Sequence, residues 1–334
     1  MGRAVLFYNP PMTRPRSAAE TPPAGGTPPH APERGWSWRL LGSFHVTGVF
    51  WYRLHRFAAR ILPSPLVGVF IAIFTTFFFV FLRRIRGAIA SNLEPILGSC
   101  GWWGRQRRIY RTMWSFAWCL TERYERLSTN RRFRIEPEGI EIWNEVAQPG
   151  RGLLLVTGHL GNFEVGSMLP AQVEHRRVHL VREPEADPKA QAFLRSAVAE
   201  FTQSRYTMHF QGDDPLQGLA FLDALRRGEI VAVQGDRPRA GARSIDATLF
   251  GRPFPLPPGP AALARTSGAP LLPVFVFRGG RRHYRVVFRP PIRAPRTDDP
   301  AADFATTMRR VAAEVERAIR REPHQWFCFR RLWP

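Results

Sequence analysis

The run Leu153-Leu154-Leu155-Val156 constrains the fold of this chain more than any other stretch. Four apolar residues end at Thr157-Gly158, and His159 follows at once. The run is too short for a buried helix and reads as an interior strand. Gly158 and Gly161 mark a tight turn on either side of the histidine. A helix opens from Phe163 onward. A strand, a turn carrying polar groups and then a helix is how an α/β protein builds a site at the carboxyl edge of its sheet.

Five positions past the histidine stands Glu164. A neutral imidazole can take a proton from a hydroxyl near neutral pH. A carboxylate on its other nitrogen fixes the tautomer and stabilises the imidazolium that forms. On a regular helix, residues five apart point roughly 140° from each other. A bend at Gly161-Asn162 is therefore expected to fold Glu164 back under His159. The alternative is a polar loop histidine beside a helix-entry glutamate that favours the positive end of the dipole.

The stretch Gly158-His159-Leu160-Gly161-Asn162-Phe163-Glu164 resembles the HxxxxD/E motif of the glycerolipid acyltransferase superfamily. It is most similar to the lauroyl and myristoyl acyltransferases of lipid A biosynthesis. Other segments share the resemblance. Arg182 ends the predicted strand 177–182, where the family has an arginine that binds phosphate. Gly235-Asp236-Arg237-Pro238 follows the strand 230–234 and resembles a motif whose acid and arginine bind the polar head group. Pro273 lies in the strand 271–277 as in the family's fourth motif. Ala-x-x-Asn92-Leu93 precedes the catalytic region, and Pro323-x-Gln325-Trp326-Phe327 resembles the family's C-terminal segment. The resemblance covers roughly residues 40 to 334.

The fold it implies is α/β, with a mixed, mostly parallel sheet flanked by helices and an N-terminal helical membrane anchor. The activity it implies is O-acyl transfer. His159 is expected as general base and Glu164 as its orienting acid. Arg182, Asp236 and Arg237 are expected to bind substrate, and the amides around Gly161 and Asn162 to hold the oxyanion. The donor is an acyl thioester on acyl carrier protein or CoA, and the acceptor a phosphorylated glycolipid such as a lipid A precursor. Neither cofactor nor metal is expected. The family resemblance places the catalytic domain on the cytoplasmic face of the bacterial inner membrane. A lysophospholipid or phosphatidylinositol mannoside acceptor, or a non-catalytic basic membrane-binding protein, remains an alternative.

Net charge is +21, and Lys189 is the only lysine, so the excess is arginine. Arginine grips phosphate in a bidentate fork. An anionic membrane surface, an acidic carrier and a phosphorylated lipid all fit such a balance. Nucleic acid fits poorly, because a long apolar run has no use there and no nucleic-acid fold signature appears. The widely spaced Cys100, Cys119 and Cys328 make neither a zinc pattern nor a disulfide framework.

Three regions follow from the patterning. Residues 1–35 are rich in Pro, Gly, Ala and Thr and read as a disordered tail without a signal peptide. Residues 36–130 read as a helical membrane-associating region. It opens with interleaved aromatics and arginines, which suit the bilayer interface. Residues 66–82 then run uncharged, at the short end of what spans a bilayer. Basic flanks on both sides favour a half-inserted or re-entrant anchor over a full span. Residues 131–334 read as the catalytic domain, closed by a basic amphipathic helix over 299–321.

Overall fold

The computed structural model describes residues 6–7, 57, 61, 63–129, 131–163, 176–184, 188–202, 205–212, 216–237 and 243–333. Most of the proline-rich tail and of the aromatic–arginine stretch lies outside these residues, and so does Glu164.

The core is a mostly parallel sheet. Its strands are β1 (Leu6–Phe7), β2 (Arg134–Glu138), β3 (Leu153–Thr157), β4 (Val178–Arg182), β5 (Tyr206–Phe210), β6 (Ile230–Gln234), β9 (Leu271–Gly280) and β10 (His283–Phe288). Their spatial order is β1-β2-β10-β9-β3-β6-β4-β5. Every pair from β9 across to β5 is parallel. Within this sheet, among the described residues, β9–β10 and the two-residue β1 on β2 run antiparallel and β10–β2 parallel. A separate hairpin joins β7 (Ile245–Leu249) to β8 (Arg252–Leu256). The sequence foresees the strands over 153–156, 230–234, 271–277 and 283–288. It misses β5, whose Tyr-Thr-Met-His-Phe mixes polar and apolar residues because it is the sheet's last strand.

The central strands bury both faces, as a parallel sheet requires. Leu154 and Val156 of β3 join a cluster with Val231 and Val233 of β6. That face is covered by α6 (Gln217–Arg226), α7 (Gly259–Ser267) and α8 (Pro300–Arg321) through Phe221, Ala261, Val311 and Val315. Leu153 and Leu155 point the other way, to Trp143 of α4 (Ile140–Val146) and Leu194 of α5 (Pro188–Thr202). Each such side chain, fully withdrawn from water, contributes roughly 1.5–3 kcal/mol. Asp299 caps α8, its side chain accepting from the amides of Ala301 and Ala302. This is the acidic cap that helix N-termini favour.

Before β2 come three helices, α1 (Ser64–Phe81), α2 (Arg83–Leu97) and α3 (Trp102–Ser128). Val67 and Ile71 of α1 pack on Trp118 of α3. The opposite side of α1 exposes Val69, Phe70, Ile73, Phe74, Phe77, Val80 and Phe81, and Trp102 and Trp103 are exposed nearby in sequence. Among the described residues no single helix is long and apolar enough to cross a membrane, and α1 and α2 meet at a 91° bend. Pro95 lies inside the last turn of α2. The described cysteines are free thiols, with Cys119 and Cys328 buried.

Candidate active site

Parallel pairing fixes the site. β3 and β6 run side by side in register, Val156 opposite Val233 and Thr157 opposite Gln234. Two residues beyond that last pair stand His159 on one strand and Asp236 on the other. The amide of Gly235 donates to the Thr157 carbonyl at 2.8 Å and keeps the two chains together past the ladder. His159 Nδ1 then lies 2.8 Å from Asp236 Oδ1. The main-chain N–H of His159 donates to Asp236 Oδ2 at 3.0 Å. One carboxylate therefore holds both the ring and the backbone of the histidine.

Asp236, read as a substrate-binding residue, instead contacts the imidazole at Nδ1; Glu164, to which the orienting role was given, lies outside the described residues. The physical reason is strand order: β6 is the parallel neighbour of β3. A signal for it exists in the sequence. Leu-Leu-Leu-Val-Thr-Gly-His and Ile-Val-Ala-Val-Gln-Gly-Asp share one plan, five strand residues, a glycine and then a titratable group.

The electrostatics follow from burial and neighbours. Asp236 is 1% exposed, and the His159 side chain 15%. Burial lowers the His159 pKa below its ordinary 6.5, Asp236 pulls it back up and Arg237 pushes it down again. The net result is a neutral ring at pH 7. Burial pushes the Asp236 carboxyl up, but the facing histidine, its hydrogen bonds and Arg237 outweigh this and hold it well below the carboxylate range. An ionised Asp236 accepts, so Nδ1 carries the proton and Nε2 is left with its lone pair. Phe163 stands edge-on to the ring at 5.4 Å between centroids.

The turn after His159 is held from two sides. Gly161 has φ +53°, and a Cβ there would sit 2.0 Å from the Val276 carbonyl oxygen. Its N–H donates to the Gln325 carbonyl at 2.8 Å. That amide is committed to the fold, which corrects the oxyanion role expected of it. Asn162 is buried, and its side-chain amide donates to the Cys119 carbonyl and the Tyr284 hydroxyl, both at 3.1 Å. The Tyr284 hydroxyl donates in turn to the fully buried Glu122, which also receives Arg278. The Asn162 side chain thus braces the turn.

Of the expected arginines, Arg237 follows Asp236 directly and reaches the Phe327 carbonyl through Nη1 at 3.4 Å. Arg182 closes β4, one strand beyond β6, and Glu183 after it acts on the charge of His159. Pro273 sits opposite Val156, where the β3–β9 ladder ends. Among the described residues no group of His, Cys, Asp and Glu is arranged to hold a metal ion.

A mostly parallel sheet covered on both faces, with a histidine–aspartate pair at its carboxyl edge, defines an α/β enzyme. The family model described as bacterial lipid A biosynthesis acyltransferase matches residues 37–334. The chain belongs to that family, and the match takes in the helices α1–α3 together with the whole sheet from β2 onward. Comparison with individual curated proteins gives no match.

Proposed function

We propose that this protein moves a fatty acyl chain from an acyl thioester to a hydroxyl of a lipid A precursor, with His159 as general base. The observation that carries the reading is the 2.8 Å contact of Asp236 with His159 Nδ1, which leaves Nε2 as the basic nitrogen. Nε2 takes the hydroxyl proton as the acceptor oxygen attacks the thioester carbonyl. The tetrahedral intermediate collapses with cleavage of the C–S bond, and the imidazolium returns its proton to the departing thiolate. Asp236 stabilises the imidazolium between these steps. The histidine supplies ~10²–10⁴-fold of the rate by this means.

Arg237 and Arg182 are assigned to the phosphates of the acceptor, where bidentate guanidinium contacts are strongest. The donor is acyl carrier protein or CoA, and the reaction as drawn needs no cofactor. The basic balance of the chain suits an acidic carrier, because opposite charge raises encounter rates. The open apolar side of α1 is assigned to the cytoplasmic leaflet of the inner membrane. An 18-residue helix rises about 27 Å, short of a bilayer core of about 30 Å. With the bend into α2 this favours a helix pair lying in the leaflet over a crossing.

The test is acyl transfer by the purified protein from labelled acyl carrier protein or acyl-CoA to a phosphorylated lipid A precursor. Wild type should transfer, and His159→Ala should not. Transfer by His159→Ala at the wild-type rate, or transfer only to lysophospholipid, refutes the reading.

A further inference from the structure

Asn92 lies on α2, far from β3 in sequence, and is 2% exposed. A buried amide is costly unless its hydrogen bonds are made. All of those of Asn92 go to one short stretch near residue 330. Its Nδ2 donates to the carbonyls of Cys328 at 3.1 Å and Arg330 at 2.8 Å. Its Oδ1 accepts from the amide of Leu332 at 3.1 Å. Three bonds from a single side chain fix the path of residues 328–332.

The segment just before it is joined to the catalytic turn. The Phe327 amide donates to the His159 carbonyl at 2.8 Å, and the Gly161 amide to the Gln325 carbonyl at 2.8 Å. Leu160 and Trp326 form an antiparallel bridge. Residues 325–327 therefore act as a one-rung strand along the turn that carries the imidazole. The Phe327 carbonyl also receives Arg237. Phe116 of α3 presses edge-on against Phe327 and Phe329, at 5.2 and 4.8 Å.

We infer that Asn92 is a positioning residue for His159, acting through this C-terminal strap from the helical layer. It touches neither substrate nor the reacting atoms. It fixes the strap, the strap fixes the backbone on both sides of Leu160, and Arg237 is held against the same strap. The inference rests on the general-base reading of His159.

The groups that act on the imidazole are Asp236, Arg237 and Glu183, with Cys328 of the strap beside Asp236 and Arg237. Freeing the strap loosens Arg237 and admits water. Burial and Arg237 both lower the His159 pKa. Their relaxation therefore moves its titration to higher pH.

The experiment compares wild type with Asn92→Ala and with Leu194→Ala. Leu194 is a buried residue of α5 in the cluster on the other face of the sheet from Trp326 and Cys328 of the strap, and its truncation controls for lost stability. Each full-length protein is assayed for kcat and KM, and the His159 ring is titrated by NMR with labelled histidine. Asn92→Ala should lose kcat by up to about 10²-fold, as a displaced reacting group does. Its donor KM should stay near wild type, and its His159 midpoint should move up. Leu194→Ala should keep the wild-type midpoint. An Asn92→Ala protein with wild-type kcat and an unmoved midpoint overturns the inference. So does Leu194→Ala showing the same two changes. If wild type transfers no acyl chain, the general-base reading fails, while the NMR midpoints still decide whether Asn92 positions the ring.

Discussion

Asp236 grips His159 twice, through ring Nδ1 at 2.8 Å and through the main-chain amide at 3.0 Å. The two contacts use different carboxylate oxygens, so tautomer and backbone position are set by one side chain. Asp236→Asn keeps the shape but puts an amide where a carboxylate stood. Its NH₂ group can face Nδ1 and shift the ring proton to Nε2, removing the base. We expect kcat to fall on the order of 10²–10⁴-fold with little change in KM. Steady-state rates on the purified variant check this.

The pH dependence follows from the lowered His159 pKa. On the general-base reading the ring acts when neutral, so the rate should hold through pH 7 and fall only below the ordinary 6.5. Arg237→Gln removes a charge that lowers this pKa, so its acid limb should lie at higher pH than wild type. A rate profile between pH 5 and 8 for both proteins reads the difference.

The same pair links stability to pH. His159 binds its proton less readily folded than unfolded, so its contribution is complete above about 6.5 and is lost as pH falls. Asp236, also depressed, contributes above about 3.9 and loses that contribution at more acid pH, as it protonates in the fold. Melting temperature should therefore decline below about pH 6.5 through His159 and further below about pH 3.9 through Asp236, and His159→Gln with Asp236→Asn should flatten both declines.

Gly161 has positive φ and no room for a side chain. Gly161→Ala should lower the unfolding free energy by about 2–4 kcal/mol, through backbone strain together with the clash on Val276. Urea denaturation measures it. Tyr284→Phe removes the hydroxyl shared by Asn162 and Glu122. It should cost about 1–3 kcal/mol by leaving buried polar groups unpaired.

The apolar face of α1 offers a binding test. Replacing Phe74 and Phe77 by serine removes two exposed rings that do not support the catalytic core. Each phenylalanine is worth about 1.5–3 kcal/mol on burial, so association with anionic vesicles should weaken many-fold. Flotation of the full chain with such vesicles gives the measurement.

Much of this fold was legible because its strands are short, wholly apolar runs that stop at glycine. Leu153–Val156 and Ile230–Val233 could be little else. The histidine was legible for the same reason, standing where such a run breaks off. The contact with Asp236 was not, because Asp236 becomes a neighbour only through the order β3-β6-β4. Sequence distance carries no record of which strands adjoin. Gly161 was recognised as a turn former, but the commitment of its amide depended on Gln325, which a one-dimensional reading places far away.

The separation of His159 from what holds it has a consequence for biosynthesis. Chains emerge from the ribosome amino end first. The imidazole is exposed to the cell while Asp236, 77 positions later, is still unmade. Gln325 and Phe327 follow later still. A nascent chain containing β3, β4 and β5 thus owns the histidine without its acid or its clasp. The site is therefore complete only once residues 325–327 have been made and have closed on the turn.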